Sequence, residues 1–129
     1  MSALFSAEAE RWWVEAQRRL DQSEVERIAT RIGAAIGREG RPGSLIVELG
    51  GDPGLRGLLL MSGEQEAVMT FAVIDRRLVM LTVYEPEATP GEPAEQVARA
   101  GRALDAVRRN DGDPGRLPLP SRSMRWIWR

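Results

Sequence analysis

Histidine, cysteine and lysine are all absent from this chain of 129 residues. Without cysteine or histidine there is no disulfide, no thiolate or imidazole zinc site, no cysteine nucleophile, and no catalytic dyad or triad with a histidine base. Without lysine, all 18 basic side chains are arginine, and 19 acidic ones bring the net charge to −1. A protein that lives on nucleic acid or anionic lipid needs a basic excess to displace counterions, and this chain has none overall. Arginine alone suits planar, bidentate recognition of carboxylate or phosphate. A single asparagine, Asn110, beside abundant alanine and glycine gives a plainer reason: the codon bias of a GC-rich, bacterial genome.

Long apolar runs are lacking as well. Stretches such as Leu58–Met61 and Leu78–Leu81 fall far short of the ~20 residues that a membrane span needs. Met1 to Phe5 is followed at once by Glu8, Glu10 and Arg11, so neither the basic region nor the apolar core of a signal peptide is in place. Together with the missing cysteines, this leads us to expect a cytoplasmic protein. What is present, 43% hydrophobic and 29% charged residues, is the composition of an ordinary globular chain, and the length suits one domain spanning residues 1–129.

Hydrophobic spacing sets out the elements. Trp13, Ala16 and Leu20 recur at helical spacing after Ser6, a natural N-cap, with Glu8 and Glu10 in the first turn. Val25, Ile28, Ile32 and Ile36 form a second stripe, offset from the first by roughly 120° at 100° per residue. That offset predicts two helices, Ala7–Leu20 and Glu24–Ile36, broken near Ser23, whose Ser23-x-x-Glu26 pattern reads as a capping box. Gly37 and Gly40 end the second helix. From Ser44 the period shortens, and strands are predicted at Leu45–Leu49, Leu58–Met61, Ala67–Ile74 and Leu78–Tyr84. The turn clusters between them are short, which demands an antiparallel meander. A third helix runs from Pro93 to Arg109, with Ala94, Val97, Ala100, Leu104 and Val107 as its apolar stripe. Residues 116–129 form a proline-interrupted arm.

Candidate chemistry is sparse. Gly50-Gly51-Asp52-Pro53-Gly54 follows a strand but lacks the lysine and helix start of a phosphate loop, so a tight hairpin loop explains it. Asn110-Asp111-Gly112-Asp113 resembles the opening of a calcium loop, but neither Ser121 nor Arg122 supplies the closing carboxylate. Glu48, Glu64, Glu66, Asp75, Glu85 and Glu87 could serve carboxylate catalysis, yet most fall at strand ends and turns, where charge is solvated. Glu48 interrupts a strand and is expected on its solvent face. No catalytic residue, cofactor site or metal site follows from these patterns.

Tryptophan is distributed unevenly. Trp12 and Trp13 sit in the first helix, and Trp126 and Trp128 in the last four residues. Spacing of two puts Met124, Trp126 and Trp128 on one side of an extended arm and Arg125, Ile127 and Arg129 on the other. Either the arm adds an edge strand and its tryptophans cover the N-terminal helix, or these residues form a contact surface of the kind tryptophan and arginine dominate. Arginine interleaved with tryptophan also suits single-stranded nucleic acid, weakly.

The expected architecture is α+β: a four-stranded antiparallel meander, five-stranded if the arm joins, with all three helices on one face. Small chaperone, immunity and adaptor domains are built on this plan. The expected function is a non-catalytic protein-binding module, homodimeric, with Trp12, Met124, Arg125, Trp126, Trp128 and Arg129 at its partner surface. A small carboxylate enzyme or small-molecule binder with a sheet–helix pocket is the alternative.

Overall fold

Two apolar clusters, one on each side of a single sheet, organise the molecule. The computed structural model describes residues 2–50, 54–87 and 92–109. Its elements in chain order are β1 (Ser2–Phe5), α1 (Ala7–Arg19), α2 (Gln22–Gly37), β2 (Ile46–Glu48), β3 (Arg56–Ser62), β4 (Gln65–Ile74), β5 (Arg77–Tyr84) and α3 (Pro93–Arg109). The sheet is five-stranded and mixed, in the order β1-β5-β4-β3-β2. Among the described residues no helix is long and apolar enough to cross a membrane.

The antiparallel meander expected from the short turns is β2 to β5. Gly63, with φ +67, takes the left-handed position in the β3–β4 turn. Asp75 and Arg76, with φ of 48° and 63°, make the β4–β5 turn, which closes on Ile74 opposite Arg77. The loop after β2 is bridged by the Leu49 N–H donating to the Leu55 carbonyl at 3.1 Å. Glu48 is exposed at the end of β2, as expected, but the side of the strand it shares with Ile46 is not the solvent side, because Ile46 is buried in the α1/α2 cluster and Val47 is exposed.

The fifth strand differs from expectation. It is supplied by Ser2–Phe5 and runs parallel to β5, with Ser2 opposite Arg77 and Phe5 opposite Met80, while the arm expected to add a strand lies outside the described residues. Phe5 and Ala3 are buried against the α1/α2 side. Four residues are too few to show a period, and their partner strand lies far along the chain.

The helices also depart from the one-face expectation. Trp13 and Ala16 of α1 and Val25, Ile28, Ile32 and Ile36 of α2 pack on one face, over Leu58, Leu60, Met69, Phe71, Leu78 and Met80. The α3 stripe of Ala100, Leu104 and Val107 packs on the opposite face, over Leu55, Ala72, Val79 and Leu81. The reason lies in β4 and β5, where Ala67–Ala72 and Leu78–Tyr84 are buried without interruption. A strand buried on both faces has no solvent side and needs a layer on each. Alternation along each strand, with all helices on one face, would group Phe71 and Val73 with Val79, Leu81 and Val83. Phe71 in fact faces α2, Val79 and Leu81 face α3, and Val73 is 37% exposed.

Val83 rejoins the Phe71 side through a bulge. The pairing passes from Phe71 opposite Met80 to Met69 opposite Val83, so β5 takes an extra residue there. Thr70 and Thr82 fill the irregularity: the Thr70 Oγ1 accepts from the Thr82 N–H at 3.0 Å and lies 2.6 Å from the Thr82 Oγ1. Both are buried, and each is satisfied by the other.

The break between α1 and α2 is real, but Asp21 caps it, not Ser23. The Asp21 carboxylate accepts from the Glu24 N–H at 2.9 Å and from the Ser23 hydroxyl at 2.8 Å. These bonds, the backbone one first, hold its pKa below the ordinary carboxylate value. Ser6 caps α1 as expected, accepting from the Ala9 N–H at 3.1 Å while its hydroxyl donates to the Leu81 carbonyl at 2.6 Å. Ser6→Ala removes both and is expected to cost about 1–2 kcal/mol by urea denaturation. Ser6→Thr, which keeps the hydroxyl, should recover most of it; a loss below about 0.5 kcal/mol in the alanine variant would show that the cap does not hold the helix.

Candidate binding site

Trp12 and Trp13 follow the ~100° step of the helix into different environments. Trp13 is fully buried beneath α1, whereas Trp12 is half-buried at its flank and packs against the same cluster from the side. Neither indole N–H has an acceptor among the described residues, though both are shut off from water. A cleft of about 330 Å³ opens between α1 and the end of β5. Trp12 and Val83 lie along it, with Glu8, Arg11, Glu15 and Arg19 from α1 and Glu85 from the segment after β5.

Glu8 is fully committed at one end of this cleft. One carboxylate oxygen accepts from the Val83 N–H at 2.8 Å, and the other pairs with the Arg99 guanidinium. Arg99 also donates to the Val83 carbonyl at 3.2 Å and to the Gln96 side-chain carbonyl at 3.1 Å. Since α1 and α3 lie on opposite faces, this pair clasps the sheet around the edge of β5. It satisfies β5 backbone groups beyond the reach of β1. A carboxylate with both oxygens engaged in this way is a structural tie, not a poised general acid. Arg19 is likewise spent on the Ser62 hydroxyl. Arg11 and Glu15, by contrast, form no hydrogen bond or ion pair with the described residues, and both are exposed. Burial raises the Tyr84 phenol above its ordinary pKa, on the α3 side of the sheet.

Of the partner-surface residues expected from sequence, the structure places Trp12 at this cleft. Met124, Arg125, Trp126, Trp128 and Arg129 lie outside the described residues, as does the calcium-like stretch from Asn110. Sequence reasoning missed Arg11, Glu15 and the Glu8–Arg99 clasp. The first two were legible as charges of opposite sign four residues apart, flanking a tryptophan; the clasp joins residues 91 apart and left no local trace. The chain matches no family model, and no curated protein or solved structure shows significant similarity to it.

Proposed function

We propose that this chain is a cytoplasmic bacterial protein-binding module, non-catalytic and of chaperone, immunity or adaptor type, that pairs with a second copy of itself. The observation that carries the reading is the outer face of α1: a half-buried Trp12 between Arg11 and Glu15, both without partners among the described residues. Tryptophan and arginine are the residues that most often anchor protein interfaces. The pattern is also self-complementary. Two copies of α1 crossing antiparallel about a two-fold axis bring each Arg11 against the other copy's Glu15, with the Trp12 indoles between them. Trp126, Trp128, Met124, Arg125 and Arg129 add the arm to the same partner-binding role.

Sedimentation equilibrium tests the pairing. Trp12→Ala and Arg11→Glu are each expected to weaken the dimer at least about tenfold without changing the far-UV spectrum. The double swap Arg11→Glu/Glu15→Arg should restore it, because the two-fold axis regenerates both pairs. A wild-type chain that stays monomeric up to millimolar concentration would overturn the self-pairing. The volume of the cleft, about 330 Å³, favours a second reading, a small-molecule binder. A metabolite that raises the melting temperature of the wild type but not of Trp12→Ala would place that reading first.

A further inference from the structure

β3 outruns its outer neighbour. β2 pairs with Arg56–Leu58 and is tied once more where the Leu59 N–H donates to the Leu45 carbonyl at 2.8 Å. Alternation in an antiparallel ladder then fixes where each backbone group points. Gly57 and Leu59 direct theirs outward to β2, Leu58 and Leu60 direct theirs inward to β4, and Met61 directs its own outward again. The register would set Gly43 opposite Met61, but Gly43 turns back and donates to the Ile46 carbonyl at 3.0 Å. The Leu59 carbonyl is taken by the Arg31 guanidinium at 3.2 Å. Among the described residues, the Met61 N–H and carbonyl are left without a partner at this edge.

A cleft of about 70 Å³ lies along the open edge. Met61 and Gly63 bound it from the hairpin, and Glu24, Arg27, Ile28 and Arg31 bound it from α2. Ile28 is buried and gives the cleft an apolar wall, while Met61 is 39% exposed. Arg27 is exposed, forms no hydrogen bond or ion pair with the described residues, and lies one helical turn from Arg31. Glu24 closes the other end, with its carboxylate near the Gly63 turn.

We infer that this edge takes an extended peptide segment of a partner protein as an added antiparallel strand, with an apolar residue opposite Met61 and an acidic one opposite Leu60. The backbone supplies the bonds: the residue opposite Met61 accepts from its N–H and donates to its carbonyl. Strand alternation supplies the specificity. The side chain opposite Met61 lies beside the exposed methionine. Its neighbour, opposite Leu60, turns to the α2 side, as Leu60 itself does. There Arg31, held on the Leu59 carbonyl, and the unpaired Arg27 stand over the edge, and a carboxylate complements both. Glu24, toward Gly63, disfavours a second carboxylate opposite Ser62. The size of the cleft suits the end of one such side chain and falls short of a drug-sized ligand. The contact uses neither Arg11, Trp12 nor Glu15, so it goes beyond the self-pairing proposed above and does not depend on it.

The probe is the end-capped peptide Thr-Ser-Val-Glu-Thr, whose antiparallel register sets valine opposite Met61 and glutamate opposite Leu60. Titrated at low salt into the isotope-labelled, full-length chain, it should give saturable shifts of the Met61 and Gly63 amides. Arg27→Glu, at an exposed position, should weaken binding at least about tenfold while thermal unfolding is unchanged. Methylating the valine nitrogen removes the donor to the Met61 carbonyl and should also weaken binding by about tenfold or more. Trp12→Ala should bind the peptide as the wild type does, which separates this site from the α1 pairing. No saturation at millimolar peptide would overturn the inference. So would equal affinity for the N-methylated peptide, or equal binding of N-acetylglutamate alone, which would leave a carboxylate site with no added strand.

Discussion

Replacing Phe71 by alanine is expected to lower the unfolding free energy by about 3–5 kcal/mol, a large part of the ~5–15 kcal/mol that holds a typical domain. Phe71 is fully buried at the centre of β4, opposite Arg56 on one neighbour and Met80 on the other. It belongs to the cluster that holds Val25, Ile28 and Ile32 of α2, so the deletion opens a void under a helix that cannot settle without dragging its neighbours. Urea denaturation followed by tryptophan emission is the measurement, because Trp13 lies in the same cluster. Val73→Ala is the control: its side chain is 37% exposed near the end of the same strand, and a change of about 1 kcal/mol or less is expected. Equal losses at the two positions would mean that Phe71 is not the core residue described above.

Gly40→Ala is the second large effect expected. Gly40 has φ +71 and follows Glu39, with φ 58, after the end of α2, where its N–H donates back to the Ala35 carbonyl at 2.9 Å. A Cβ added there would sit 2.9 Å from the Phe71 ring and 3.0 Å from a Val73 methyl. The left-handed backbone and the overpacking each cost about 1–3 kcal/mol, and they act together. The Gly40 carbonyl also accepts from Arg56 at 2.6 Å, so a shift that relieved the clash would strain this bond. We expect a loss of several kcal/mol in the same denaturation experiment, and partial recovery when Val73→Ala is added, because that removes one of the two contacts. No recovery would place the cost wholly in the backbone.

How much of this was legible beforehand depended on range. Ser6 as a cap, the helix break, the hairpin turns and four strands could be read locally, because spacing and turn chemistry are properties of a few neighbouring residues. The cap of α2 was misplaced by two residues, since Ser23 and Asp21 both qualify on chemistry and only the backbone decides. Which face a helix covers is not a local property. The continuous burial of β4 and β5 was present as Val68, Ala72, Val79 and Leu81, but Thr70 and Thr82 interrupt these apolar runs with hydroxyls, and spacing alone does not say that they are buried. They are buried because each satisfies the other across the bulge, a pairing visible only in register. At the candidate site Trp12 was singled out for its chemistry, while Glu8 looked like an ordinary first-turn charge. Its clasp with Arg99 emerges only once α1 and α3 lie on opposite sides of one strand.

The parallel strand β1 also sets the order in which the chain can assemble. β2 to β5 are joined by short turns, so their pairing needs little loop closure and can form on the microsecond scale of hairpins. β1 has no such neighbour: the bond that carries the chain off its end, from Ser6 to Leu81, joins residues 75 apart. Contacts of that range form late and slow a domain's folding. During synthesis Ser2–Phe5 are made well before Arg77–Met80 and must wait for them, and until they dock, the β5 backbone along that stretch is an open edge. An open edge recruits any strand that reaches it. The kinetic vulnerability of this molecule therefore lies at its N-terminal strand, and a delay in docking exposes it to aggregation before any loss of native stability does.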